Sequence, residues 1–403
     1  MRFRLDREKS RYFLFICVAV FLATFCRAQG ADWVGTWGCS PQLTEYRNMP
    51  PPPGLDSNTL RQVVQVSIGG NKLRVQFSNV FGTNAVTLTA AHIALSAGAA
   101  AIQTNSDTPL TFHGNPSVTI PAGEAVWSDP FDFNLAPMAD IAVTIHLENV
   151  TEHVTGHPGS RSTSYIQTGE AVSAADLPGA ASTAHWYFLT GIDVQANNPG
   201  GAIVALGDSI TDGHGSDTDK NDRWPDNLTH RLQADSSMAN IAVLNEGIGG
   251  NCVLRNGLGP TAISRFDRDV LSQSDARWLI IFEGVNDIGG SHDASVATNL
   301  IAAFQKFIGQ AHAHHLKVYG ATITPFGGSF YDSPAHEAAR DTVNNWIRTS
   351  GAYDGVIDFD AVVRDPQKPT HLLPADDDGD HLHPDENGYQ VMANAIDLKL
   401  FKN

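Results

Sequence analysis

Gly201-Ala202-Ile203-Val204-Ala205-Leu206-Gly207-Asp208-Ser209-Ile210-Thr211 is the stretch on which the reading of the chain turns. Ala202–Leu206 is apolar without a break, the mark of a strand covered on both faces. A loop follows Gly207, and helical spacing sets in around Trp224–Leu232. A serine on a tight strand-to-helix turn lifts its hydroxyl above the sheet, beside the backbone N–H groups of the helix start. Taken alone, Gly207-Asp208-Ser209 also fits a plain turn with a helix cap.

Downstream the same rhythm repeats. Strand patterns recur at Ile241–Leu244, Trp278–Phe282, Val318–Thr322 and Val356–Phe359. Between them lie helical faces: Val296, Leu300, Ile301, Phe304 and Phe307 mark one, Ala335–Thr349 another, and Val391, Met392, Ala395 and Ile396 the last. Alternating strands and helices predict an α/β fold with a parallel sheet covered on both faces, and a ligand at the carboxyl ends of the strands. Upstream, residues 31–196 have period two instead. Leu73, Val75 and Phe77 alternate with polar neighbours, as do Ile141, Val143, Ile145 and Leu147, and similar runs occur at Val64–Ile68, Val86–Leu95 and Val118–Ile120. Many short strands with turns such as Gly69-Gly70-Asn71 predict an antiparallel β-sandwich. Asn48–Gly54, with four consecutive prolines, reads as a loop. The change of rhythm at Asn197-Asn198-Pro199-Gly200-Gly201 sets the expected division: a sandwich domain over 31–196 and an α/β domain over 200–403.

The first 28 residues are of another kind. Arg2, Arg4, Arg7, Lys9 and Arg11 precede the apolar run Tyr12–Cys26, and Ala28 offers a small residue for cleavage. This is the pattern of a secretory signal peptide; a membrane anchor is the alternative, for which the run is short. The expected destination is secreted or periplasmic. The whole chain carries 43 acidic and 26 basic side chains, a net −17, and loss of the basic leader would take the remainder near −21. Such a surface repels nucleic acid and anionic membranes and suits an uncharged ester or sugar. Cys39 and Cys252 remain beyond the leader, either as a bridge or as two buried thiols. No Cys/His array has zinc spacing, and His312, His314 and His315 read as a solvated helix end.

Chemistry-bearing residues cluster where the strands end. After the second strand stands Asn245-Glu246-Gly247-Ile248-Gly249-Gly250-Asn251, whose glycines let backbone N–H groups approach a ligand. After the third stands Gly284-Val285-Asn286-Asp287, whose asparagine amide can aim at the same point. Near the end, Asp376-Asp377-Asp378-Gly379-Asp380-His381-Leu382-His383-Pro384 holds two overlapping Asp-x-x-His pairs, Asp378 with His381 and Asp380 with His383. In either, the carboxylate can hold the imidazole by its other nitrogen. The same acidic loop reads as a calcium site, but without the rest of the EF-hand spacing.

The ordered set Gly-Asp-Ser, glycine, Gly-x-Asn-Asp and Asp-x-x-His before proline resembles the GDSL/SGNH hydrolase superfamily over roughly residues 200–400. That likeness implies a flavodoxin-like three-layer α/β/α domain and ester hydrolysis without cofactor or metal. It makes Ser209 the nucleophile and first oxyanion donor, Gly250 and Asn286 the other donors, His383 the base and Asp380 its partner. Asp380 and His383 are preferred to Asp378 and His381 because Pro384 and Gly388-Tyr389 follow, as in the family. Trp33-Val34-Gly35-Thr36-Trp37, Leu60-Arg61-Gln62-Val63-Val64 and Arg74-Val75-Gln76-Phe77-Ser78-Asn79 resemble exported bacterial members with a leading β-domain, grouped with acetyl-xylan esterases. The implied substrate is a small-molecule or polysaccharide ester, carboxylic and foremost acetyl. The alternatives are a lipase, arylesterase or thioesterase, and an inert hydrolase fold whose sandwich binds carbohydrate through Trp127, Tyr165 or Trp186. The loop His157-Pro158-Gly159-Ser160-Arg161 is a candidate to reach over the site from the sandwich. Oligomeric state is not legible.

Overall fold

The computed structural model describes residues 33–196 and 199–402; the signal-peptide reading lies outside them. Five parallel strands form the central sheet of the second half, in the order Ile241–Gly247, Gly201–Gly207, Ala276–Phe282, Lys317–Ala321, Gly355–Ile357. This second-first-third-fourth-fifth order is flavodoxin-like and puts a switch point beside the strand that leads to Ser209. Every residue of Gly201–Gly207 is buried, as its unbroken apolar run requires.

The covering helices follow from local chemistry. Val296–Ala313 buries Val296, Leu300, Phe304, Phe307 and Ala311 on one stripe of three- and four-residue spacing. Pro334–Thr349 starts where Ser333 accepts from the His336 N–H, with proline at the first position. Glu386–Ala395 is capped by Asp385, which accepts from Gly388 N–H. One difference lies at the fifth strand-to-helix transition: Phe359 opens the short helix Phe359–Val363 and is not part of a strand.

The first half is built of antiparallel sheets. Trp33–Gly38, Leu189–Gln195, Gly70–Ser78 and Phe131–Leu135 run side by side in one; Ser164–Thr168, Asn58–Gln65, Asp140–Glu148 and Val86–Gly98 form the centre of another. The alternation expected along Ile141–Leu147 is present in sequence, yet Ala142, Thr144 and His146 are buried too. The cause is Arg61 from the neighbouring strand. Its guanidinium is fully covered, donating to Thr144 Oγ1 at 2.9 Å and to the carbonyls of Ala100 and Ala174 at 2.5 and 2.8 Å. The segments 99–102 and 171–177 therefore close over the face that alternation leaves to water.

The two halves share one apolar core and, among the described residues, form a single compact unit. Trp33–Gly38 lies against the outer strand Ile241–Gly247 so closely that a side chain at Gly35 would meet Leu244 at 2.8 Å. The Ser67 hydroxyl accepts from Val243 N–H at 3.3 Å, capping a strand edge that would otherwise present an orphan donor. Cys39 and Cys252 are both buried and free. The bridge reading is thereby corrected: Cys39 Sγ packs against the Leu189 carbonyl and Cys252 Sγ against that of Gly250. After unfolding without reductant, both residues should take up maleimide in peptide mass mapping. Reductant should leave the Tm unchanged.

Candidate active site

The turn after Gly207 places the serine. Asp208 caps the short helix Ser209–Asp212, accepting from Ile210 N–H at 3.0 Å, and burial pushes its carboxyl up to about 7. Ser209 is 8 % exposed, so its hydroxyl meets solvent through a narrow opening. Its Oγ lies 2.8 Å from His383 Nε2, and His383 Nδ1 lies 2.7 Å from Asp380 Oδ2. Asp380 Oδ1 also accepts the N–H groups of Leu382 and His383, at 2.9 Å each. Burial alone would raise this carboxyl, but the bonds from His383 and Leu382 hold it well below the usual carboxylate range. It is thus an anion that fixes the imidazole by one nitrogen and leaves the other for the serine.

The alternative pair does not assemble. His381 is exposed and bonds Asp377 at 2.6 Å, while Asp378 stands 3.9 Å from His214. The acidic loop spends its carboxylates on its own groups: Asp377 accepts from Gly379 and His381 N–H. Among the described residues, His214, Asp380 and His383 alone lie close enough to cage an ion. Both His383 nitrogens are occupied by Ser209 and Asp380, however, and a cation, Arg161, already faces His214 Nδ1. These residues do not suit a metal.

The second and third blocks meet the first. Ile248 N–H donates to the Gly207 carbonyl at 3.1 Å. Gly250 follows in a turn with φ +68°, which favours glycine, and its N–H has no hydrogen-bond partner among the described residues. Asn286 Nδ2 donates to the Asn251 carbonyl at 2.8 Å, leaving its second amide proton uncommitted. Tyr331 hydroxyl donates to Asn286 Oδ1 at 3.0 Å, which fixes which end of the amide bears the donors. Asp287 accepts from Val253 and Leu254 N–H at 2.8 and 2.9 Å, locking the two loops together.

Beneath all of this lies Arg265, 1 % exposed. It donates to the carbonyls of Gly207 and Glu246 at 2.9 and 2.8 Å, to Ser40 Oγ at 2.8 Å and to Asn251 Oδ1 at 3.1 Å. Asp269 and Glu283 are its carboxylate partners at 3.2 and 3.4 Å. Burial pushes the Glu246 and Glu283 carboxyls well up. Nothing in the sequence pattern singles out Arg265, Tyr331 or His214; each lies outside the four blocks. The His157–Arg161 loop packs against the segment that follows Ser209. His157 Nε2 bonds Asp212 at 2.9 Å in the interior, and Gly159 approaches Asp212 so closely that any side chain would overlap its carboxylate. Of the aromatics considered for carbohydrate, Trp186 is core, packed edge-on to Trp37 at 4.9 Å. Trp127 is covered by the Arg74 guanidinium at 4.4 Å, and Tyr165 is half-buried beside Asp219 and Asp140.

Fold and site together define an ester hydrolase. Residues 205–391 match the model of the GDSL-like lipase/acylhydrolase family. Similar solved structures include a G-D-S-L family protein from Desulfitobacterium hafniense DCB-2, at 22 % identity over 48 % of this chain and 96 % of that one, TM-score 0.39. An acetylxylan esterase from Geobacillus stearothermophilus is 21 % identical over 51 % of this chain and 95 % of its own, TM-score 0.39. An acylhydrolase-like protein from Bacteroides fragilis NCTC 9343 is 22 % identical over 51 % and 88 %, TM-score 0.37. No curated protein matches the chain.

Replacing Arg265 with leucine removes the cation but leaves Asp269, Glu246 and Glu283 inside. Breaking a buried pair in this way costs about 3–5 kcal/mol, to be read by urea unfolding at pH 8. The stranded carboxyls then bind protons in the folded state that they do not bind when unfolded, so stability falls as pH rises. The deficit should accordingly be smaller at pH 5 than at pH 8.

Proposed function

We propose that the protein is an exported serine esterase that removes short acyl groups, acetyl foremost, from carbohydrate esters. The reading is carried by the chain Ser209 Oγ to His383 Nε2 to Asp380 Oδ2, at 2.8 and 2.7 Å. His383 takes the Ser209 proton as Oγ attacks the acyl carbonyl. The oxyanion so formed is held by Ser209 N–H, Gly250 N–H and the Asn286 amide. His383 returns its proton to the departing alcohol, leaving an acyl-enzyme. Water, deprotonated by the same imidazole, then releases the acid. This sequence needs no cofactor.

The carbohydrate part rests on the N-terminal stretches that resemble exported acetyl-xylan-esterase-like proteins, and on an acidic surface suited to uncharged substrates. Export rests on the basic-then-apolar leader; no described helix is long and apolar enough to cross a membrane. One observation favours a longer acyl chain as the second reading. A cleft of about 650 Å³, lined by Val296, Ala297, Ala335, Ala338, Ala339 and His336, opens beside the segment that bears Tyr331. Phe330, on that same segment, is 75 % exposed.

A fluorophosphonate probe should label Ser209 and nothing else in peptide mass spectrometry, and Ser209→Ala should lose both label and p-nitrophenyl acetate turnover while keeping its Tm. Retained turnover in that variant would remove the assignment. Asn286→Ala should lower kcat by about two to three orders of magnitude, the usual worth of one oxyanion donor. Tyr331→Phe should lower kcat by about tenfold with KM little changed, because only the orientation of that donor is lost. A series of p-nitrophenyl esters from acetate to octanoate separates the two acyl readings: activity falling steeply beyond butyrate supports the acetyl one.

A further inference from the structure

Arg161 belongs to the sandwich yet ends beside the triad. Its Nη2 lies 3.1 Å from His214 Nδ1. The His214 ring in turn lies over His383, with centroids 4.1 Å apart and planes tilted by 44°. The backbone delivering Arg161 is left-handed, φ +49°, a conformation that a residue with a side chain rarely adopts unless its surroundings impose it. Those surroundings are visible. The Arg161 carbonyl accepts from Asp219 N–H at 2.9 Å, and the Asp219 carboxylate holds Thr163 N–H and hydroxyl at 2.6 Å each. In a chain so rich in carboxylates, Arg161 has no ion pair among the described residues, and its Nε is buried without a partner. Its charge is directed at the imidazoles and not neutralised.

A guanidinium only donates, so the bond to Nδ1 takes up a lone pair of His214. That ring then carries its proton on Nε2 and is neutral. The groups facing it are His383 and Arg161, the carboxylates of Asp378, Asp380 and Asp212, and the Tyr389 hydroxyl, which bonds the His214 carbonyl. Burial, with His383 and Arg161 next, pushes His214 down to about 4. The His214 backbone N–H donates to the Ser209 carbonyl at 2.9 Å, which ties its main chain to the nucleophile turn.

We propose that Arg161 is a positioning residue of the triad, supplied by the sandwich, which keeps His214 as a neutral ring against the face of His383. The inference rests on the serine-esterase reading above. During the reaction His383 becomes a cation. A neutral His214 adds no charge of its own beside that cation, whereas a protonated His214, its ring centre 4.1 Å away, would repel it. Without Arg161, Nδ1 regains its lone pair for a proton and water reaches the ring, so His214 titrates closer to the ordinary histidine range. Protonation there opposes charging of His383, and turnover falls as pH drops through the new pKa.

The test compares wild type, Arg161→Ala, His214→Phe and the double variant, using kcat/KM for p-nitrophenyl acetate from pH 5 to 9. The Arg161→Ala deficit should widen by about tenfold between pH 8.5 and 5.5. His214→Phe keeps a ring that cannot protonate, and should lower the rate by one factor at every pH. The double variant should follow His214→Phe. A constant Arg161→Ala ratio across the range, or the same widening in the double variant, would overturn the proposal. Arg161→Lys, which keeps the charge, should keep the wild-type profile and serves if the alanine variant does not fold. NMR titration of His214 in the Ser209→Ala background needs no turnover, so it separates this proposal from the esterase reading: the ring should stay neutral down to about pH 5 with Arg161 present and titrate more than one unit higher without it.

Discussion

The site depends on one buried cation. Arg265 satisfies the carbonyl ending the nucleophile strand, the carbonyl of Glu246 in the second strand, and the Asn251 side chain beyond it. The Asn251 carbonyl in turn holds the Asn286 amide. Three loops that are far apart along the chain are therefore referred to a single planar fork of five donors, which no ammonium group could reproduce. Burying such a charge is costly, and the cost is offset only because Asp269 and Glu283 accompany it and nearly every donor finds an acceptor. What the arrangement secures is geometry. An oxyanion hole is effective when its donors stand in place before charge develops, and here a rigid interior contact holds the Asn286 amide.

Ser40 is the sandwich's contribution to that fork, at 2.8 Å from Arg265 and 2.7 Å from Glu246. It is one of three contacts from the first half of the chain that end beside the candidate site. His157 reaches Asp212 in the interior, and Arg161 reaches His214 at the rim of the triad. All three contacts end within a few residues of a catalytic block. The sandwich is thus part of the frame that holds the candidate site.

Much of the fold was legible because its signals are local. An unbroken apolar strand, a three-four-spaced helix stripe and a serine or aspartate cap each announce themselves within a dozen residues, and the five-stranded sheet follows from them. The strand Asp140–Glu148 was legible in pairing but not in burial, since the covering of its second face depends on Arg61 and on segments tens of residues away. The candidate residues Ser209, Gly250, Asn286, Asp380 and His383 were legible because such chemistry is confined to strand ends and fixes the residue types. The structure brings Ser209, His383 and Asp380 together in the expected sense, and it chooses between two Asp-x-x-His pairs that spacing alone left level. Tyr331, His214 and Arg265 were not legible. Each acts through a tertiary contact that leaves no periodicity, and tyrosine, histidine and arginine are unremarkable in the loops and helices where they stand. Cys39 and Cys252 carried no pattern either way, and only the packing around each sulfur resolves them.

The capped edge at Val243 bears on how such a chain can be cut and recombined. A gene fragment beginning near residue 200 would retain all four blocks, yet Leu244 would lose its cover and Val243 its acceptor, and Asp212 would be left inside without His157. The bare outer strand would then be free to pair with another copy of itself. Hydrolase and sandwich are consequently a unit of inheritance: shuffling at the boundary that the change of rhythm suggests would yield a sticky half-protein, whereas exchanges within surface loops would leave the shared interior whole.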